Sequence, residues 1–281
     1  MFSYNNERDA FSITRRRSLS HNMPSNHFHS TFELFYLVSG ERCFFIKDRT
    51  LQIKEGDLVL VQPNVLHRTT NAGLPKHERI IVNFQEDFIA MQKFFLSQVL
   101  RQIFDKEYTV ISLSPQHRIH VEDLLQQIQQ EVQGQNTGFE VYVKTLVLQI
   151  LVYICRLIEQ NSVKPLAYSS PIHEKVSEIV RYINSHYSQN LSLHYLADRF
   201  YISPYYLSRI FKEVTGFTFV EYLNSVRVKE AKKLLEISNL KVNVIAEKVG
   251  FGSITHFGRV FREITGHAPL HYRKQGKLSG E

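Results

Sequence analysis

Two groups of residues have the types and spacing to do chemistry. The first is His27, His29 and Glu33, joined further along by His67. His27, His29 and Glu33 share parity, so on an extended strand they would point to one side. Imidazole nitrogens and one carboxylate oxygen can hold a transition metal, or can line a polar pocket and satisfy one another's hydrogen bonds. A small-molecule pocket is the favoured expectation, with a metal on the same four residues as the alternative and no cofactor assigned. The second group is written twice. Ser203 to Gly216 reads SPYYLSRIFKEVTG, and Ser253 to Gly266 reads SITHFGRVFREITG. Leu207, Ile210, Phe211 and Val214 fall on one face of a helix, as do Phe257, Val260, Phe261 and Ile264. The opposite faces carry Tyr205, Ser208, Arg209 and Lys212 in the first copy, and Thr255, Gly258, Arg259 and Arg262 in the second. A helix face of this kind is either merely solvated or built to read the edges of bases in a major groove. The repetition favours two readers.

The elements that must position these groups follow from local patterning. Ser203 and Ser253 can cap the free amides of their helices, and Pro204 suits a first helical position. Before the first copy, Ile172 to Tyr187 has a helical apolar face, and Leu191 to Phe200 gives a short helix with Ser192 as its cap. A four-residue link then makes a helix-turn-helix, with Ala197 small where the two helices touch. Thr218 to Ile237 reads as a helix of about twenty residues, ~30 Å long at 1.5 Å per residue. That is close to the ~34 Å of one DNA turn, so it can set two readers in successive grooves. In the second unit Ala246 repeats Ala197, and the Gly250-Phe251-Gly252 turn is one residue longer.

The first third of the chain reads differently. Phe32–Val38, Cys43–Ile46, Leu51–Ile53, Leu58–Val61 and Arg79–Phe84 are strand-like and separated by turn signals, which argues for a sandwich or barrel. Arg15, Arg16 and Arg17 fit a strand edge with two of the three solvated, or could reach an anion. From Phe88 the pattern turns helical. Val121, Leu124, Leu125, Ile128 and Val132 make one stripe, and Phe139 to Ile158 is apolar almost all round, which implies burial on more than one side. One side is expected on the barrel and the other on a second subunit. The polar stretch from Glu159 to Pro171 reads as a linker. The expected layout is a barrel over 1–90, a helical dimerisation segment over 91–160, a linker over 161–171 and a DNA-binding part over 172–281. The two helix-turn-helix units fall at about 191–216 and 240–266.

Charge agrees with this division. The net charge is +7, and the whole excess lies beyond residue 161. A basic segment joined to a neutral one suggests a nucleic-acid module with a separate partner domain. Two cysteines, Cys43 and Cys155, form neither a disulfide framework nor a zinc site and suit a reducing cytoplasm. No signal peptide or membrane span is expected.

Two resemblances follow. His27-x-His29, Glu33 and Gly40 match the first motif of the cupin barrel, HxHx3Ex6G, though its leading glycine is absent where His21 stands. Gly56-Asp57 and Pro63 to His67 match its second motif more loosely. In metal cupins the matching histidines and glutamate bind a metal. The C-terminal part resembles the AraC/XylS family of bacterial transcription regulators. The pattern runs through Ala197, Ser203, Tyr206-Leu207-Ser208-Arg209, Phe211-Lys212 and Thr215-Gly216. It continues through Ile245-Ala246, Val249-Gly250-Phe251, Ser253, Phe257, Arg259, Phe261-Arg262, Thr265-Gly266, Pro269 and Tyr272-Arg273. The resemblance implies a two-domain α+β fold with an N-terminal cupin-like barrel and an all-α tandem helix-turn-helix. It implies a homodimeric, effector-responsive activator, often of carbohydrate-use genes, that works with RNA polymerase and is not an enzyme. The base-facing positions then fall on Tyr205, Ser208, Arg209, Ile254, Thr255, Gly258 and Arg259. Phosphate contacts fall on Ser203, Lys212, Ser253 and Arg262. The rival expectations are a metal-dependent cupin enzyme with a DNA-binding tail, and an effector-free architectural DNA binder.

Overall fold

The computed structural model describes residues 2–6, 11–18, 29–72, 76–89, 103, 107–160 and 170–278. Among the described residues the N-terminal part holds nine strands: β1 (Phe2–Asn6), β2 (Phe11–Ser18), β3 (Phe32–Ser39), β4 (Glu41–Ile46), β5 (Arg49–Lys54), β6 (Asp57–Val61), β7 (His67–Asn71), β8 (His77–Phe84) and β9 (Tyr108–Ser112). They form an antiparallel six-stranded sheet, β1-β2-β8-β3-β6-β9, and a three-stranded sheet, β5-β4-β7. Among the described residues no ladder joins the two sheets, which face one another. Alternation sorts the side chains. Phe35, Leu37, Val59 and Val61 meet Phe44, Ile46, Leu51 and Ile53 between the sheets. Leu34, Tyr36, Leu58, Leu60, Ile80 and Val82 point the other way, under the helices. Strands β3 and β6 are therefore covered on both faces, which is why they read as unbroken apolar runs.

Helix α1 (Glu86–Ile89) is one turn long. Helices α2 (Pro115–Gly134) and α3 (Phe139–Glu159) pack together on the outer face of the large sheet. The predicted stripe on α2 is buried, and the Ser114 hydroxyl caps the helix by accepting from the His117 amide. Helix α3 buries one face, from Val143 to Leu157, while Tyr142, Gln149 and Arg156 are exposed. Within one chain it is buried on one side. Two expectations change. The stretch after Phe88 is not wholly helical, because β-branched Thr109, Val110 and Ile111 pair with β6 as strand β9. Strand β2 is not an edge: it lies between β1 and β8, and Arg15 pairs with Glu78 at 2.7 Å.

The C-terminal part holds α4 (Pro171–His186), α5 (Leu193–Arg199), α6 (Pro204–Thr215), α7 (Phe219–Ile237), α8 (Val242–Lys248), α9 (Ile254–Thr265) and α10 (Pro269–Leu278). Residues 161–169 of the expected linker lie outside the described residues. Ser192, Ser203 and Ser253 all cap as predicted, each accepting from an amide three residues on. Thr218 and Glu221 add a reciprocal capping box at the start of α7. The extra residue of the second unit can be placed. The Ile202 amide donates to Ala197 and the Phe251 amide to Ala246, so the turns match through that point and Gly252 is the insertion.

Candidate effector pocket and nucleic-acid interface

His27 lies outside the described residues. The other three pocket candidates come together. His29 Nε2 is 3.0 Å and His67 Nε2 3.5 Å from Glu33 Oε2. Strand parity does not bring them there. His29 precedes β3 and reaches Glu33 across a bend at Ser30 and Thr31, with its Nδ1 held 2.8 Å from the Thr31 carbonyl. His67 opens β7 and points inward, its Nδ1 2.8 Å from the Val65 carbonyl. Both imidazoles therefore turn Nε2 toward the carboxylate. Glu33 and His67 are wholly buried, and the His29 side chain is 20% exposed. Burial opposes charge on each, but the ion pair prevails: Glu33 is held well below the usual carboxylate range by His67 and His29, and His67 is raised by Glu33. The three ligand atoms lie within 4.8 Å of one another. This donor set fits a divalent transition metal, and it also closes on itself through shared protons.

The sequence reading passed over a second polar group in the same interior. Arg42 on β4, Thr69 on β7, and His77, Arg79 and Asn83 on β8 share the parity of the inward residues on their strands, and Asn71, at the exposed end of β7, accepts from Arg42 and also lines the outer cleft. Ring contacts join the two groups: Arg79 lies over Phe35 at 6.0 Å, Phe35 meets Phe44 at 5.2 Å, and Phe44 stacks on His67 at 6.0 Å. The signal was present in the sequence as polar residues at every second position, as in His67-x-Thr69-x-Asn71.

The two reader helices present the predicted faces. Tyr205 is 82% and Ile254 52% exposed. Ser203, Ser208, Arg209, Lys212, Ser253, Thr255, Arg259 and Arg262 are exposed, and Gly258 is half-buried with nothing within 4 Å of where a Cβ would sit. Arg209 lies over the Tyr206 ring at 5.4 Å, and Arg259 donates to Glu263 Oε1 at 2.8 Å.

The readers differ in their surroundings. The barrel docks on the first unit, where Phe45 and Leu66 enter its core. Phe45 meets Phe217 at 6.0 Å and Tyr222 at 5.9 Å, and Arg68 lies over Phe217 at 5.1 Å. The Tyr222 hydroxyl lies 3.0 Å from the Lys47 carbonyl, and Thr50 Oγ1 donates to the Val214 carbonyl at the end of α6 (3.2 Å). A cleft of about 540 Å³ runs between β7 and α6, lined by Thr70, Asn71, Tyr205, Ser208, Arg209 and Lys212. Strand β7 thus carries pocket residues on one face and touches the first reader with the other.

Comparison with known proteins agrees with this architecture. A model of the AraC-like ligand binding domain matches residues 10–151, and a helix-turn-helix domain model matches residues 196–275. The chain belongs to the AraC family of transcription regulators. The two matches give a ligand-binding domain followed by a helix-turn-helix domain. The transcriptional activator RhaS of Citrobacter koseri is 27% identical over 240 residues, 85% of this chain and 78% of RhaS. The transcriptional regulator YfiF of Bacillus subtilis is 26% identical over 257 residues, 90% of this chain and 80% of YfiF. The bifunctional transcriptional activator and DNA repair enzyme AdaA of Bacillus subtilis is 37% identical over 115 residues. The matched region is 41% of this chain and spans about half of AdaA, 54%.

Proposed function

We propose that this regulator is a cytoplasmic homodimeric activator that answers to a small polar effector of carbohydrate type, and that it catalyses no reaction. Tyr205, Ser208 and Arg209 read bases from the first helix, and Ile254, Thr255, Gly258 and Arg259 from the second. Arg209 and Arg259 suit guanine, and Ile254 and Thr255 suit a thymine methyl. Ser203, Lys212, Ser253 and Arg262 hold phosphates, which fixes register without specifying sequence. The exposed face of α3, with Val141 and Tyr142 at its start, is the proposed dimer contact, and RNA polymerase is the proposed partner at the promoter.

One observation carries the effector half: β7 has His67 inside the barrel and Thr70 and Asn71 beside Tyr205, Ser208 and Arg209. A ligand that shifts His67 by a fraction of an ångström also shifts the wall of the first reader's cleft. Isothermal titration with neutral and acidic sugars, run beside operator binding with and without each, tests this. Heat of binding with a change in DNA affinity is expected; heat without any change would remove the coupling. The metal-enzyme reading predicts stoichiometric metal in the purified protein that a His29→Ala variant lacks. The architectural reading predicts DNA affinity that varies little with sequence and falls steeply with salt.

A further inference from the structure

The barrel interior holds charge and hydrogen-bonding capacity that its own residues leave unused. Arg42 lies opposite Asn71 across the β4–β7 ladder and donates to its side-chain oxygen. Arg79 lies opposite Leu37 on β3, is 9% exposed, and donates from Nη1 to His77 Nε2 at 3.1 Å. Both arginines have the parity of the inward residues on the two facing sheets. Burial and Arg79 together push Arg42 down to about 10, and burial and Arg16 lower Arg79 against the smaller pull of Glu33. Among the described residues no carboxylate lies within ion-pair distance of Arg79, and its Nε has no hydrogen-bond partner. A buried cation without an ion-pair partner is costly, and among the described residues only the pull of Glu33 and the face of Phe35 offset the burial of Arg79. Nearby, Glu33 Oε1, Thr69 Oγ1 and Asn83 Oδ1 are also buried without partners. Glu33 and Asn83 face one another across the β3–β8 ladder, and Thr69 lies between His67 and Asn71 on β7.

We infer that the barrel binds a small polyhydroxylated molecule bearing one anionic group, a sugar acid or a sugar phosphate, with the anion on Arg79 and Arg42. Its hydroxyls donate to Glu33 Oε1, Thr69 Oγ1 and Asn83 Oδ1. The planar guanidinium fork suits an oxyanion, and the orphaned oxygens can all accept hydrogen bonds, which a donor-rich ligand satisfies. The assignment rests on the barrel being the effector pocket, and it narrows the neutral-or-acidic sugar of that reading to the anionic class.

The test uses the full chain, with thermal melting and isothermal titration at constant ionic strength in chloride. The probes are D-glucose, D-glucuronate and D-glucose 6-phosphate, the matching galactose series, and acetate and inorganic phosphate as bare anions. An acidic sugar should raise the melting temperature saturably while its neutral parent does not. Comparing glucuronate with glucose 6-phosphate separates carboxylate from phosphate. In Arg79→Met that affinity should fall about 10- to 100-fold, the span expected for losing a charged hydrogen bond. The ligand-free variant should melt no lower than wild type, because it has lost an uncompensated charge. A purely structural Arg79 would do the opposite, lowering the ligand-free melting point and leaving affinity unchanged, and that overturns the inference. Equal binding of neutral and acidic sugars overturns the anion and leaves the effector pocket standing. No response to any sugar or bare anion overturns both. If Arg79→Met does not fold, Arg79→Lys keeps the charge without the fork and should bind about tenfold more weakly; unchanged affinity overturns the inference.

Discussion

The two helix-turn-helix units are near copies in sequence and in local structure, yet among the described residues the barrel enters the hydrophobic core of the first and not that of the second. Both reader helices span twelve residues from a serine cap to a glycine at φ +78°. In both, the threonine before that glycine donates to the carbonyl four residues back, Thr215 to Phe211 and Thr265 to Phe261. The residue after the glycine separates them. Phe217 is fully buried against Phe45, Arg68 and Tyr222, whereas His267 is exposed. A Cβ added at Gly216 would lie 2.7 Å from Arg68 Cδ, and one added at Gly266 would meet nothing within 4 Å. Local sequence thus makes a reader, and one residue past its end decides whether the barrel holds it. The asymmetry suits a regulator whose ligand acts on one half of its DNA contact.

The largest expected effect comes from breaking the buttress. Phe45→Ala should cost ~3–5 kcal/mol of packing and loosen the first unit alone. Hydrogen exchange should speed in α6 and not in α9, and operator binding should lose its dependence on effector; equal loosening of both units would show that the docking is not selective. Next come the readers. Arg209→Ala and Arg259→Ala should each cost ~1–3 kcal/mol of discrimination at one base pair, while Lys212→Ala weakens all sites alike. Competition binding with point-mutated operators resolves these, and only the Arg209 effect should change with effector. Glycine substitutions sharpen the contrast at smaller scale. Gly216→Ala should destabilise by more than Gly266→Ala, since both need a left-handed backbone but only the first also meets Arg68. Gly258→Ala should stabilise α9 by ~1 kcal/mol, and a fall in operator affinity beside that gain would mark a close helix–DNA approach. The smallest effect is a pH dependence confined to the barrel and the first unit. The stabilisation from His67 is complete below its unfolded pKa, ~6.5, and is lost as pH rises through its raised folded value. That from Glu33 is present above its unfolded pKa, ~4.3, and is lost as pH falls through its lowered one. Melting of the barrel followed from pH 4 to 9 should therefore peak in between, and Glu33→Gln should flatten the curve.

Much of this was legible in the sequence because it is local. Helical periodicity, serine caps and alternating strands depend on neighbours within a few residues, so Ser203 to Gly216 and Ser253 to Gly266 declared themselves, and the strands from Phe32 to Phe84 nearly so. Strand β9 was hidden because its five residues gain strand character only from pairing with β6. The pocket was half visible. His29, Glu33 and His67 stood out by type, but Arg42, Thr69, Arg79 and Asn83 lie on three strands distant in sequence, and only their shared parity hinted that they converge.

By itself, then, the order of residues determined what each segment would become and which faces would be apolar, since those preferences are set by backbone geometry and side-chain shape over a turn or two. Which faces meet was decided by the tertiary structure. The approach of His67 to Glu33 and the seating of Phe45 beside Phe217 are contacts between residues far apart in sequence. Their energies come from burial and charge in a shared interior, and that interior exists only once the whole chain has folded.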